Sequence, residues 1–314
     1  MRYYFAPMEG ITDSIYRRIH HKYFPGLDRY YMPFLSPTMH RTLTHKESRE
    51  LPMADSEGFV AIPQILTKIP EDFLWAARVC QERGYEEVNL NIGCPSGTVV
   101  AKGKGAGMLR NVGELDAFLD HIFAESPIAI SVKTRLGIEK PEEFPAILEV
   151  LKRYPIRELT IHPRVRKQFY SGGVEMDMFR FATENSRNPL CYNGNLSCLQ
   201  DIANVQQQFP QIDAMMIGRG LIGDPGMLCP GGTNVATLQK FTDELLETYI
   251  EVFGGARNAM FRMKENWGFL LHRFENSEKL GKQLRKTTDV EEYRAITAQI
   301  FGTLPLAEKL LSDW

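Results

Sequence analysis

Cysteine is scarce, and its spacing makes no pattern. The 314-residue chain has five, Cys80, Cys94, Cys191, Cys198 and Cys229. The number is odd and no C-x-x-C pair occurs, which argues against a disulfide framework and against a structural zinc site. Long apolar runs are missing: none reaches the ~18 residues of a membrane span. The few residues ahead of Glu9 and Asp13 are too short for the apolar core of a secretory signal. These absences lead us to expect a soluble, cytoplasmic protein with no membrane partner. An excess of one charge is missing too. There are 37 basic and 39 acidic side chains, a formal net charge of −2. A globally basic nucleic-acid binder is excluded, but a local basic patch is not. There is no H-E-x-x-H, and the adjacent His20 and His21 fall on different helix faces, so no metal site is expected. There is no G-x-S-x-G nucleophile turn. Low-complexity tracts are absent as well.

What is present is a rhythm. Eight short apolar runs recur through roughly the first 220 residues. They are Tyr3–Met8, Tyr30–Phe34, Val60–Leu66, Val88–Ile92, Ile128–Arg135, Leu159–Arg164, Leu190–Asn193 and Ala214–Gly218. Stretches of helical spacing lie between them, clearest at Glu71–Arg83, Val112–Ala124, Glu142–Arg153 and Ser197–Gln208. Alternating strands and helices imply a parallel sheet, and eight such units fit an α/β TIM (β/α)8 barrel. The connection around Thr38–Asp55 reads as irregular. Within the runs, Ile128, Ile130 and Val132 oppose Ala129, Ser131, Lys133 and Arg135. Leu159 and Ile161 oppose Thr160, His162 and Arg164. Val88, Leu90 and Ile92 oppose Asn89 and Asn91. An apolar face toward helices and a polar face toward the barrel interior produces this alternation. Cys80, in an apolar helical stretch, and Cys191, in an apolar strand, read as core.

After Pro230-Gly231-Gly232 the strand signals stop. Helical periodicity takes over at Leu238–Phe253, Ala259–Phe274, Glu291–Phe301 and Leu306–Leu311. We therefore expect a barrel over residues 1–235 followed by a small all-α domain over 236–314. Between Arg257 and Lys286 this tail has eight basic residues against Glu265, Glu275 and Glu278. The eight are Arg257, Arg262, Lys264, Arg273, Lys279, Lys282, Arg285 and Lys286.

Four constellations have chemical potential. Cys94 follows the strand Asn89-Leu-Asn-Ile and is flanked by Gly93 and Pro95, so it sits on a rigid turn at the barrel rim. A thiol of pKa ~8.5 keeps its proton near neutrality and can donate it, or it can act as a nucleophile if a neighbour lowers that value. The bland alternative is a buried structural thiol. The stretch Lys102-Gly-Lys-Gly-Ala-Gly107 lacks the dinucleotide spacing and reads as a flexible loop over the site. Its lysines can meet phosphates or simply solvent. Lys133, Arg135, His162 and Arg164 converge on one mouth and suit an anionic ligand; internal salt bridges are the alternative, with Glu9 the obvious acid. Asn193-Gly194-Asn195 and Gly218-Arg219-Gly220 follow strands seven and eight, where barrels often hold phosphate. Glycine there lets backbone approach closely, and Arg219 can add a charge-assisted bond. Together they point to a phosphorylated cofactor across the barrel top.

These residues, in this order, resemble the flavin-dependent tRNA-dihydrouridine synthases. The likeness runs through Ala6-Pro-Met-Glu-Gly10, Gln64, Asn91-Ile-Gly-Cys-Pro95 and Lys133-Thr-Arg135-Leu-Gly137. It continues through His162-Pro-Arg164-Val-Arg166-Lys-Gln168-Phe-Tyr170, Asn193-Gly-Asn195 and Ile217-Gly-Arg-Gly220. Two departures are visible: Met32-Pro-Phe-Leu-Ser36 lacks the acidic residue of many relatives, and Pro163 replaces a common glycine.

The resemblance implies an oxidoreductase with FMN over the mouth of a catalytic barrel domain. Pro7, Met8 and Glu9 would line one side of the flavin. Gln64, Lys133 and His162 would hydrogen-bond it. Asn193, Gly194, Asn195, Gly218 and Arg219 would hold its phosphate. NADPH would be the co-substrate. A uridine flipped out of tRNA would take a hydride at C6 and a proton at C5 from Cys94. Asn91 and Arg135 would hold the base, and Lys264 would also touch the substrate. The helical domain would bind tRNA through its basic surface. No neighbouring base for Cys94 is visible in sequence, which favours the donor role over the nucleophile. A monomer is the default expectation. Two rivals stand beside this reading: an FMN barrel oxidoreductase acting on a free small molecule, and a barrel that binds tRNA without catalysis.

Overall fold

The computed structural model describes residues 1–311. Nine strands, all parallel where they pair, form one sheet. They are β1 (Arg2–Phe5), β2 (Arg29–Tyr31), β3 (Ala61–Ile62), β4 (Gln64–Ile65), β5 (Glu87–Ile92), β6 (Ala129–Arg135), β7 (Leu159–His162), β8 (Leu190–Asn193) and β9 (Ala214–Ile217). Their order is β3-β2-β1-β9-β8-β7-β6-β5-β4. The two edges, β3 and β4, are halves of one run interrupted by Pro63, which has no N–H to give to a ladder. Tyr30 and Tyr31 of β2 pair with Ala61 and Ile62, while Gln64 and Ile65 pair with Asn89 and Leu90 of β5. The Pro63 carbonyl still accepts from Asn89 at 2.8 Å. The sheet therefore closes into the eight-position barrel that the sequence rhythm implies.

Helices return the chain outside the barrel. Asp13 caps Ser14–Tyr23 by accepting from the Tyr16 N–H. Pro70 opens Pro70–Glu82, where its missing N–H costs nothing. Asn111 caps Val112–Glu125. Phe144–Leu151, Met176–Asn185 and Leu199–Gln208 complete the main set. The connection around Thr38–Asp55 holds a short helix, His45–Glu50, entered through a Thr44/Glu47 capping box.

The interior alternation separates two cores. Val88, Leu90, Ile92, Ile130, Val132, Leu159 and Ile161 belong to the large apolar layer between strands and helices. Tyr4, Ala6, Tyr31, Ile62, Cys191, Ala214 and Met216 fill the barrel itself. Cys80 lies in the first and Cys191 in the second, both buried. At the N-terminal end Glu158 closes the barrel, accepting from Tyr4 Oη at 2.9 Å and pairing with Arg2 at 3.3 Å.

Four helices follow: Val235–Phe253, Ala256–Leu270, Glu278–Lys286 and Val290–Thr303. Gly254, at φ 68°, ends the first in the left-handed region that glycine adopts freely. The helix expected over Leu306–Leu311 does not form. Pro305 accepts from the Glu275 N–H at 3.0 Å, and the Ala307 N–H reaches Arg273 O at 2.8 Å. The backbone hydrogen bonds of this segment go across the tail instead, with Leu306 bridged antiparallel to Phe274. Conversely, Glu278–Lys286 is a helix that its run of cations concealed. Leu280 and Leu284 are buried on its inner face. The tail shares the large apolar layer of the barrel, to which Phe241, Tyr249, Met263, Trp267 and Phe301 all belong. Among the described residues no helix is long and apolar enough to cross a membrane.

Candidate active site

Strand β5 ends in Ile92, and the chain turns sharply through Gly93 and Cys94. A Cβ on Gly93 would lie 3.2 Å from the Thr134 backbone, so this turn sits tight against β6. Asn91 holds it. Its Oδ1 accepts from the Gly93 and Cys94 N–H groups at 3.0 and 2.9 Å. Its Nδ2 donates to Gln64 Oε1 at 2.7 Å. Gln64 Nε2 donates to Asn89 Oδ1 at 2.8 Å, and Asn89 Nδ2 to Ser131 Oγ at 3.0 Å. This amide chain spans β4, β5 and β6 and fixes which end of each amide faces which neighbour.

Lys133, Arg135 and Arg164 at the mouth bond to neutral oxygens and nitrogens. Lys133 Nζ donates to Asn193 Oδ1 at 2.8 Å, and Asn193 Nδ2 to Met216 O at 2.8 Å. Arg135 donates through Nε to Gly93 O at 3.0 Å and through Nη1 to Val165 O at 3.1 Å. Arg164 donates to His162 Nε2 and to Asn195 Oδ1, each at 2.9 Å. Glu9, the acid the sequence offered them, pairs with Lys46 at 3.7 Å. Burial, with repulsion from Arg135, pushes the Lys133 ammonium down to about 8. Burial likewise lowers Arg135 and Arg219 to about 10. His162 falls well below its ordinary value, first from burial and then from its four cationic neighbours. Its ring is neutral, and with Nε2 accepting from Arg164 the proton belongs on Nδ1. Burial raises the Cys94 thiol, outweighing a Ser96 N–H and the charges of Arg135 and Lys133. Cys94 is therefore a protonated thiol at neutral pH.

One aromatic on this face had no role in the sequence reading. Tyr170 lies between two guanidiniums, its ring centre 5.2 Å from Arg135 Cζ and 4.9 Å from Arg219 Cζ. His162 is 6.1 Å away, ring to ring. Phe169, at φ 50°, turns the chain so that Tyr170 faces back over the mouth. Only the spacing from His162 to Tyr170 hinted at it.

The second half of the glycine-rich stretch is packed, while Lys102 is exposed and Gly103 and Lys104 are half-buried. Gly97–Ala101 is a helical turn, Gly105–Arg110 a 3-10 helix, and Gly105, Ala106 and Gly107 are buried. A Cβ on Gly105 would meet Cys94 Cβ, Cys94 O and Val99 Cγ1 at 2.9 Å each. Ala106 N–H donates to Cys94 O at 3.1 Å. The glycines are there for close approach, so the stretch buttresses Cys94 from behind.

Pro7, Met8 and Glu9 after β1, Gln64 on β4, Asn91 and Cys94 at β5, and Lys133 and Arg135 on β6 all line one open cleft. So do His162 on β7, Asn193, Gly194 and Asn195 after β8, and Gly218 and Arg219 after β9. Tyr170, Phe34 and Ser197 join them. Among the described residues Glu9 is the single carboxylate in that lining, against Lys133, Arg135 and Arg219. The balance suits an anionic cofactor. Gly218 lies flat on the cleft, its Cβ position 3.5 Å from Met8 Sδ. Lys264 is not part of this lining. It sits on the Ala256–Leu270 helix and donates to Thr287 O.

Comparison with known proteins agrees with this geometry. The family model described as dihydrouridine synthase matches residues 4–306. The chain is 30% identical over 226 residues to tRNA-dihydrouridine synthase B of Pasteurella multocida, covering 71% of this chain and 67% of that one. It is 23% identical over 320 residues to the probable tRNA-dihydrouridine synthase 1 of Synechocystis, covering 96% and 86%. Among solved structures, TcOYE with pHBA superposes with a TM-score of 0.53 at 8% identity, covering 76% of this chain and 89% of that one. A morphinone reductase mutant in complex with tetrahydroNAD gives 0.51 at 11% identity, covering 72% and 85%. At such identities the structural likeness speaks for the barrel alone. The family model, by contrast, runs through the barrel, the Cys94 turn and nearly all of the helical tail, and the chain belongs to the dihydrouridine synthase family.

Proposed function

We propose that FMN lies across this cleft, that NADPH is the electron donor, and that Cys94 gives the proton that completes dihydrouridine formation in tRNA. The reading rests on one observation: Cys94, Lys133, His162 and Arg219, from four separate strand ends, face a single cleft. When bound, FMN reduced by NADPH supplies a hydride to C6 of the uracil ring.

The residues of the chain do the rest. Lys133 and the Nδ1–H of His162 would donate to the flavin, as would Gln64, while Pro7, Met8 and Glu9 would bound it on the β1 side. Asn193, Gly194, Asn195 and Gly218 would offer backbone and amide groups to its phosphate, and Arg219 a charge. Cys94 Sγ would release its proton to C5, on a turn locked by Asn91 in front and Gly105 behind. Because burial keeps the thiol protonated, no base is needed to prepare it. Solvent would restore the proton before the next cycle. Arg135 would polarise a uracil carbonyl. Asn91 would meet the base only with what remains of its donor capacity, since its oxygen is already shared by two N–H groups.

We assign tRNA binding to residues 236–314. Lys279, Lys282, Arg285 and Lys286 are exposed on the outer face of one helix. Arg262 and Arg273 are instead spent on Asp13 and Asp224 within the fold. Lys264 would reach tRNA only by releasing Thr287 O. A flavin barrel acting on a free small molecule has no use for that outer face, so we favour tRNA, and with it the cytoplasm as the working compartment. The test is incubation of unmodified tRNA with the protein, FMN and NADPH. One uridine position should gain a dihydrogen by mass; no gain at any position would overturn the reading.

A further inference from the structure

Behind the Cys94 turn, on the same rim of the barrel, lies a second concentration of charge. Gly103, at φ 71°, reverses the chain between Lys102 and Lys104. Lys68, from the loop after β4, runs against that reversal. Its Nζ is 3.3 Å from where a Cβ on Gly103 would be. Lys104 Nζ donates to Ser36 Oγ at 3.2 Å, and Ser36 in turn to Leu66 O at 3.3 Å. Three ammonium groups thus come from adjoining loops. The nearest acid, Asp72, is already paired with Arg41 at 3.1 Å. Among the described residues none of the three lysines has a carboxylate within ion-pair distance. Lys102 and Lys68 are exposed, and both push the Lys104 ammonium below its ordinary value, after burial as the main cause.

Asp72 partly offsets Lys104, but among the described residues Lys68 and Lys102 stand exposed without an ion-pair partner, and such crowded like charges are relieved by a polyanion. Gly105 and Ala106, on the chain just beyond Lys104, touch Cys94 directly. We propose that Lys68, Lys102 and Lys104 form a phosphodiester-binding site that holds the tRNA backbone at the β4–β5 side of the cleft, a second grip apart from the helical tail. This inference rests on the functional reading above. A backbone fixed there would set how the extruded uridine meets Cys94, since base positioning follows from phosphate contacts.

The test compares wild type with Lys68→Ala/Lys102→Ala and with the charge-keeping Lys68→Arg/Lys102→Arg. Lys104 is kept because it bonds Ser36. KM for tRNA, KM for NADPH and kcat are measured at several salt concentrations. The alanine pair should raise KM for tRNA about tenfold and lower the salt slope by about 0.7–0.9 per lost phosphate contact. The NADPH KM should hold, and the arginine pair should restore tRNA binding. An unchanged tRNA KM and slope would overturn the inference, as would a rise confined to the NADPH KM, which would mark the site as one for a nucleotide phosphate. Wild-type protein that makes no dihydrouridine would overturn the functional reading as well. Wild-type turnover beside an unaltered alanine pair would overturn this inference alone.

Discussion

The side-chain oxygen of Asn91 lies 2.9 Å from the backbone nitrogen of Cys94, and the same oxygen also accepts from Gly93. A residue that sequence reading placed against the substrate is therefore first of all the clamp of the Cys94 turn. Asn91→Ala leaves two N–H groups without that acceptor, at a cost of about 1–3 kcal/mol. A lower melting temperature should accompany slower dihydrouridine formation. Unchanged stability in a thermal melt would contradict the clamp.

Gly105→Ala tests the buttress behind Cys94. The glycine has φ 56°, and a Cβ there would sit 2.9 Å from three atoms, two of them in Cys94. Strain and displacement together should cost roughly 1–3 kcal/mol. Turnover should fall at least tenfold while the bound flavin spectrum stays put. A variant as stable and as active as wild type would show that the stretch yields easily.

How much was legible beforehand depended on whether a side chain's neighbours were local. The barrel was readable because strand alternation repeats every two residues, and Ile130, Val132, Leu159 and Ile161 all keep that period. Cys94 and the cations at the mouth were readable because each strand end places its polar residue at the same rim. Leu306–Leu311 misled because its apolar spacing is helical, while its true partner, Phe274, is remote in sequence. The tail's basic count overstated its free charge, since Arg262 and Arg273 find Asp13 and Asp224 across the fold. The glycines at 105 and 107 looked flexible because composition cannot show what packs against them. Tyr170 needed the folded loop to stand between Arg135 and Arg219.

Lys133 gives a pH signature. Its ammonium is lowered to about 8, so the cleft loses this positive charge as pH rises through that value and retains it below. FMN affinity of the flavin-free protein should drop several-fold between pH 7 and 9, read by quenching of flavin fluorescence. In Lys133→Met the affinity should be low throughout, with no such limb. His162, neutral already, should contribute no acid limb near pH 6.5, its ordinary range. A clear transition there would contradict the neutral ring.

The tail can be tested without cutting it away, which would expose the apolar layer it shares with the barrel. Lys282→Ala/Lys286→Ala changes only exposed cations on one helix. The tRNA KM should rise roughly tenfold in low salt and the difference should shrink in high salt. An equal NADPH-dependent rate of flavin reduction would locate the defect in tRNA binding. A tRNA KM unaffected at any salt concentration would remove this face from the interface.

The most direct test of the account is Cys94→Ala in a single turnover with pre-reduced flavin and unmodified tRNA, following dihydrouridine by mass. Flavin content, spectrum and reduction by NADPH should match wild type. Dihydrouridine formation should slow by about 10²–10⁴, the usual worth of a positioned acid. Formation within a few-fold of the wild-type rate would contradict Cys94 as the proton donor.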